Sequence, residues 1–99
     1  MNQDISFDPD KSHRNEVAQG LPFSLVLDLD WRSALIKEDT RRNNGERRFQ
    51  ALGLIHGRFH IVVFTTRHDK VHVISLRKAN SREVKHHEQT QNPLTQTRH

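Results

Sequence analysis

Residues 47–66 read RRFQALGLIHGRFHIVVFTT, two apolar runs on either side of His56-Gly57. Arg47–Ile55 and Phe59–Thr66 are each long enough for a strand. They are rich in the β-branched and aromatic side chains that suit a pleated surface. The two residues between them have the spacing of a tight hairpin, in which glycine takes a positive φ at no steric cost. This hairpin decides the fold. It sets Leu54 opposite Phe59 and Leu52 opposite Ile61.

Downstream, Arg67-His68-Asp69-Lys70 turns the chain into a further strand over Val71–Lys78, with Thr66 opposite Val71, Phe64 opposite Val73 and Val62 opposite Ser75. Upstream, Ala34–Thr40 reads as a strand, and Arg42-Asn43-Asn44-Gly45 supplies turn chemistry between it and Arg47. One face then carries Leu52, Leu54, Phe59, Ile61, Val63, Ile74 and Leu76, and is the expected core face. The other carries Phe49, Val62, Phe64 and Val73, ringed by Arg47, His60 and Arg77, with His60 across from Arg77. A small monomer seldom leaves such an apolar patch bare, so this second face is expected to meet a partner.

The flanks are simpler. Ile5-Ser6-Phe7 is a short strand candidate. Asp10 is expected to cap a helix through Gln19, ended by Gly20 in a left-handed conformation. In 21–31, Leu21, Phe23, Leu25, Leu27, Leu29 and Trp31 alternate as in a strand, whereas Pro22 and the spacing of Phe23, Val26 and Leu27 also suit a helix. Trp31 reads as core. Asn80 to about Gln89 reads as a short helix, with Asn80 or Ser81 as cap and Glu83 in its first turn. Residues 89–99 are polar, contain Pro93 and read as a disordered tail after a single domain over 1–88.

Length allows one domain: the chain has 99 residues, of which 32% are hydrophobic and 28% charged. Charge is divided unevenly along it. Residues 1–40 hold four Lys/Arg against eight Asp/Glu, a net of −4, while residues 41–99 hold twelve against four, a net of +8, with seven of the eight histidines. Such a basic half suits a phosphate backbone or an acidic protein. No apolar run approaches the roughly 20 residues of a membrane span, and the N-terminus lacks a secretory pattern, so a cytoplasmic chain is expected.

With no cysteine there is no disulfide, thiolate metal site or cysteine nucleophile. No Gly-x-Ser-x-Gly elbow or phosphate-cradling glycine loop is present. Adjacent histidines on a helix, as in His86-His87, point about 100° apart and cannot clamp one ion, so no metal or other cofactor is expected. What remains is fixed positive charge at a strand end. Arg77, Lys78 and Arg82, with Arg47, Arg58 and His60 as neighbours, could hold an RNA phosphate and stabilise the charge that develops when a 2′-hydroxyl attacks it. Glu83, His60 and His87 could move protons there.

Three sets of residues carry a family resemblance. The first is Phe7-Asp8-Pro9-Asp10-Lys11. The second is Glu38-Asp39-Thr40-Arg41 with Gly45-Glu46-Arg47-Arg48-Phe49 and Ala51-Leu52-Gly53-Leu54. The third is Val62-Val63-Phe64-Thr65, Ile74-Ser75-Leu76-Arg77-Lys78-Ala79-Asn80 and Arg82-Glu83-Val84-Lys85. Together, over about residues 5 to 88, they resemble the BrnT toxins of type II toxin–antitoxin modules. The resemblance implies a RelE-like α+β fold: two N-terminal helices, the second over 21–30, packed on a twisted antiparallel sheet, and a short C-terminal helix.

In function it implies metal-independent RNA cleavage that inhibits translation, neutralised by a BrnA-like ribbon-helix-helix antitoxin. Operator DNA would be met only through that antitoxin, in a hetero-tetramer. The catalytic candidates are Arg77, Lys78, Glu83 and His87, and the RNA-binding candidates are Arg47, Arg58, His60 and Arg82. The antitoxin-binding candidates are Phe49, Val62, Phe64, Val73 and Arg77. Where the family usually carries Lys-His-Gly and a C-terminal tyrosine, this chain has Ala18-Gln19-Gly20 and His86-His87. These departures keep a second function open, that of a non-catalytic antitoxin-binding co-repressor.

Overall fold

The computed structural model describes residues 4–40 and 45–91. In order they form β1 (Ile5–Ser6), α1 (Pro9–Gln19), a 3₁₀ helix (Phe23–Asp28), β2 (Leu35–Asp39), β3 (Arg48–Ile55), β4 (Arg58–Arg67), β5 (Lys70–Lys78) and α2 (Ser81–Gln91). The turn expected at 42–45 lies mostly outside the described residues, as does most of the expected tail.

The hairpins form as their turn residues dictate. His56 and Gly57 both take positive φ, 50° and 77°, and so do His68 and Asp69. Two successive positive values give the twist that a two-residue hairpin needs. Leu54 pairs with Phe59, Leu52 with Ile61, Phe64 with Val73 and Thr66 with Val71, as expected.

The sheet is five-stranded in the order β1-β5-β4-β3-β2. It is mixed, not antiparallel throughout, because β1 runs parallel to β5 through Ile5–Val71 and Ser6–His72. The cap of α1 is Asp8, whose carboxylate accepts from the Asp10 amide at 2.9 Å; Asp10, the expected cap, lies two residues further on, within the first turn. Gly20 ends the helix at φ 73°.

Residues 21–31 form neither a strand nor a second α-helix. The Leu25 amide donates to the Pro22 carbonyl and the Leu29 amide to Val26, both at 3.1 Å. These i→i+3 bonds give three residues per turn. Phe23, Val26 and Leu29 therefore share one side, and all three are buried. The alternating leucines were a coincidence of composition: Leu27 is 43% exposed.

The expected core face is reversed, with Leu76 alone of its residues joining the core cluster. Ala51, Ile55, Val62, Phe64, Val71, Val73 and Leu76 form the core beneath α1 and the 3₁₀ helix, with Phe49, Phe7 and Trp31 packed against it. Val62, Phe64 and Val73 are 0%, 5% and 1% exposed, and Phe49 stacks on Phe64 with ring centroids 5.6 Å apart. The apolar patch assigned to an antitoxin is thus the interior of the molecule.

Its opposite face is covered too, by α2, which buries Leu52 and Ile61. A bulge adds a second correction. Val63 pairs with Ser75 but Phe64 pairs with Val73, leaving Ile74 as an extra residue on β5. Beyond it Val62 meets Leu76, His60 meets Lys78 and Ile61 meets Arg77, so the expected His60–Arg77 pairing does not form. Arg77 is shifted onto the outer face, towards α2.

Candidate functional site

The outer face of the sheet and the first turns of α2 enclose a groove. Strand alternation sends Leu35 and Lys37 of β2, Gln50 and Leu52 of β3, Ile61 of β4 and Arg77 of β5 to this face. At one end is a cleft of about 310 Å³, floored by Leu35, Leu52 and Ile61 and rimmed by Lys37, Gln50, Arg82, Glu83 and His86. It adjoins a more polar recess of about 360 Å³ that contains Arg77 together with Glu38, Asp39 and Thr40. Lys37, Gln50 and Glu83 line both.

Arg77 is fixed at the junction of β5 and α2. Its two terminal nitrogens donate to the two Glu83 carboxylate oxygens at 2.9 and 2.8 Å, the planar fork that guanidinium and carboxylate share. Glu83 also completes the start of α2. Its Oε1 accepts from the Asn80 amide at 2.8 Å, while Asn80 Oδ1 accepts from the Glu83 amide at 2.8 Å. This reciprocal cap satisfies two otherwise orphaned amides. The Arg77 hydrogen bonds, chiefly, and that of the Asn80 amide hold the Glu83 carboxyl down to about 2. It is an anion throughout the physiological range and, while so paired, a weak proton acceptor.

Of the residues expected from sequence, Arg77, Glu83 and Arg82 come together at this groove. The others do not. Lys78 falls on the opposite, inner-face parity beside His60. His60 is 4% exposed; its Nδ1 donates to the Arg58 carbonyl at 2.7 Å, and burial pushes its pKa down. It is not placed to touch RNA. Arg58 follows the hairpin turn, on that same inner-face parity and away from the groove.

His87 is buried as well. Its Nε2 donates to the Ser33 carbonyl at 2.7 Å and its ring packs on Phe59 at 4.6 Å between centroids, so it anchors α2 to the sheet. Arg47 forms a two-bond pair with Glu38 at 3.1 and 2.9 Å and lies over the Phe49 ring. Glu46, next to Arg47 in the chain, pairs with Arg67.

Sequence reasoning missed Lys37, Gln50 and His86. The signal was available in part: Lys37 and Gln50 alternate with Leu35 and Leu52, and so share their face. His86 stands three residues after Glu83, one helical turn along the same side of α2. Among the described residues no group of three His, Asp or Glu side chains is placed to hold a metal ion, and no helix is long and apolar enough to cross a membrane.

A family model described as the ribonuclease toxin, BrnT, of type II toxin–antitoxin systems matches residues 7–83. The matched span takes in Lys37, Gln50, Arg77, Arg82 and Glu83, and ends before His86 and His87. A search of the curated proteins finds no match to the chain.

Proposed function

The chain belongs to the BrnT family of ribonuclease toxins of type II toxin–antitoxin systems, and from that premise we propose that it cuts RNA in the outer-face groove, with Arg77 as the phosphate-holding residue. The observation that carries this reading is the Arg77–Glu83 fork at the mouth of the groove. A guanidinium that binds a carboxylate through two parallel bonds offers the same geometry to a phosphate. An incoming phosphate takes Glu83's place on Arg77, and Lys37 and Arg82 add positive charge beside it. Glu83, released from its cation, regains the basicity that pairing removes.

The reaction is transesterification. The 2′-hydroxyl oxygen bonds to the adjacent phosphorus, its proton passes to Glu83, and the bond from phosphorus to the 5′-oxygen breaks. The products are a 2′,3′-cyclic phosphate and a 5′-hydroxyl that takes its proton from solvent. Arg77 stabilises the additional negative charge on the phosphoryl oxygens in the transition state. Chemistry of this kind runs on the chain's own side chains, without metal, and cleavage of message would halt translation.

A toxin of this class has an antitoxin as partner. The reading adds that a BrnA-like ribbon-helix-helix protein silences this one by laying acidic side chains over Arg77, as Glu83 already does from within, and carries the pair to operator DNA as a hetero-tetramer. The same occupancy of Arg77 by Glu83 favours the second reading, a non-catalytic antitoxin ligand and co-repressor. One experiment separates the two. Purified protein with EDTA should cut RNA to cyclic-phosphate ends, and Arg77→Ala, folded by circular dichroism, should slow cutting by about 10²-fold or more. Absence of cutting by the parent protein, with antitoxin binding intact, would select the co-repressor.

A further inference from the structure

We infer that the cleft between α2 and the outer sheet face is a nucleobase pocket, which seats one unstacked base of the RNA strand whose phosphate meets Arg77. The inference rests on the RNA-cleaving reading above and adds to it a specificity subsite. Three features point to a base. The floor is aliphatic: Leu35, Leu52 and Ile61 line it, Leu52 and Ile61 showing only their outermost atoms, and α2 contributes one wall. The volume, about 310 Å³, sits at the low end of small-molecule sites, which run from roughly 300 to 1,000 Å³. It has room for one planar ring system and not for a folded peptide segment. The rim combines Lys37 and Arg82, which suit the flanking phosphates, with two side chains suited to the base itself.

Those two are His86 and Gln50. His86 offers a ring, and imidazole is among the side chains on which unstacked RNA bases lie. Gln50 carries both a donor and an acceptor, the pair needed to read a base edge. Its Nε2 reaches Asp39 Oδ2 at a long 3.4 Å, a contact that a base edge can replace at little cost. Lys37, Gln50 and Glu83 belong to the cleft and to the Arg77 recess alike. A nucleotide whose phosphate lies at Arg77 therefore has its base at the opening of the cleft. Since side chains here come from β2, β3, β4 and α2, the pocket exists only in the folded chain.

The test is a titration of the full chain, labelled at backbone amides and at leucine and isoleucine methyls, with four homopolymeric 2′-O-methyl hexanucleotides, which bind without being cut. The methyls of Leu35, Leu52 and Ile61 should shift saturably with one or two of the four, while those of Ile55 and Leu76 on the inner face stay still. Gln50→Ala should reduce the difference in affinity between the best and worst oligonucleotide by about tenfold. His86→Ala should weaken the best about tenfold, the scale of one lost stacking contact.

Shifts confined to the Arg77 amide and its neighbours would overturn the pocket while leaving RNA binding at Arg77 standing. No shift at either place would overturn both. If 5′-mononucleotides alone bind as tightly as the hexanucleotides, the ligand is a free nucleotide and the strand-reading role fails. Displacement of the floor methyls by antitoxin, with none by any oligonucleotide, would assign the cleft to a protein side chain instead.

Discussion

Arg77 and Glu83, six residues apart in the chain, meet through two hydrogen bonds of 2.9 and 2.8 Å across the junction of β5 and α2. The same carboxylate accepts from the Asn80 amide. One acidic side chain thus starts a helix and aims a guanidinium.

Acid should undo this junction. Glu83 titrates at about 2 in the folded protein against an ordinary 4.5. Between those values the unfolded chain binds more protons, so the pair's stabilisation is complete above about pH 4.5 and is lost as pH falls to about 2. Glu38 and Glu46 are lowered by Arg47 and Arg67 and add to the same trend. The urea midpoint of the parent protein should fall through this window more steeply than that of Glu83→Gln. Parallel profiles would mean that the fork carries no linkage.

Gly53 should not tolerate even one methyl. A Cβ there would lie 3.0 Å from both the Ala34 Cβ and the Leu29 Cδ1, where the chain before β2 crosses β3. Gly53→Ala should cost about 1–3 kcal/mol, the scale of overpacking a closed site. Adding Ala34→Gly should recover part of that loss, a coupling that a double-mutant cycle measures directly. Strict additivity would show that the crossing relaxes freely.

Phe64 should behave as core and not as a docking surface. It is in edge-to-face contact with Trp31 at 5.5 Å and stacks on Phe49. Phe64→Ala should lose about 3–5 kcal/mol of unfolding free energy in denaturant melts. A variant of near-parental stability that no longer bound antitoxin would restore the docking role.

His87→Leu should loosen α2 by removing the bond to the Ser33 carbonyl, at a cost of about 1–2 kcal/mol. Hydrogen exchange of the α2 amides would then quicken, while β3 and β4 keep their protection. Unchanged exchange in α2 would show that the helix is held elsewhere.

What could be read from sequence was local. His56-Gly57, Gly20 and the Asn80–Glu83 cap each need a particular residue at a particular backbone position, and each formed where expected. The faces of the sheet could not be chosen in that way. Both are apolar because both are covered, by α1 and the 3₁₀ helix on one side and α2 on the other. Alternation alone carries no sign for which is the interior. The segment 21–31 misled because Phe23, Val26 and Leu29 recur every third residue, a period between those of strand and α-helix. His86 and His87 are adjacent, and only the packing of α2 tells which faces the groove and which the sheet.

The extra residue at Ile74 bears on how this chain can vary by insertion and deletion. Strand pairing from Lys70 to Val73 has one phase and from Ser75 to Lys78 the other, with Ile74 as the step between them. Loss of that single codon would bring Val73 and Ser75 together opposite Phe64 and Val63, which are already neighbours, so every pair would survive and Arg77 would stay opposite Ile61 with its Glu83 fork. One residue added between Leu76 and Arg77 does the reverse: it turns Arg77 inward and Lys78 outward, strips the fork of its cation and puts a guanidinium towards the interior. Functional relatives should therefore lack the bulged residue more readily than they gain one after it. Comparing the Ile74 deletion with an alanine inserted after Leu76 would measure the difference, and an insertion variant that stays folded and active would refute it.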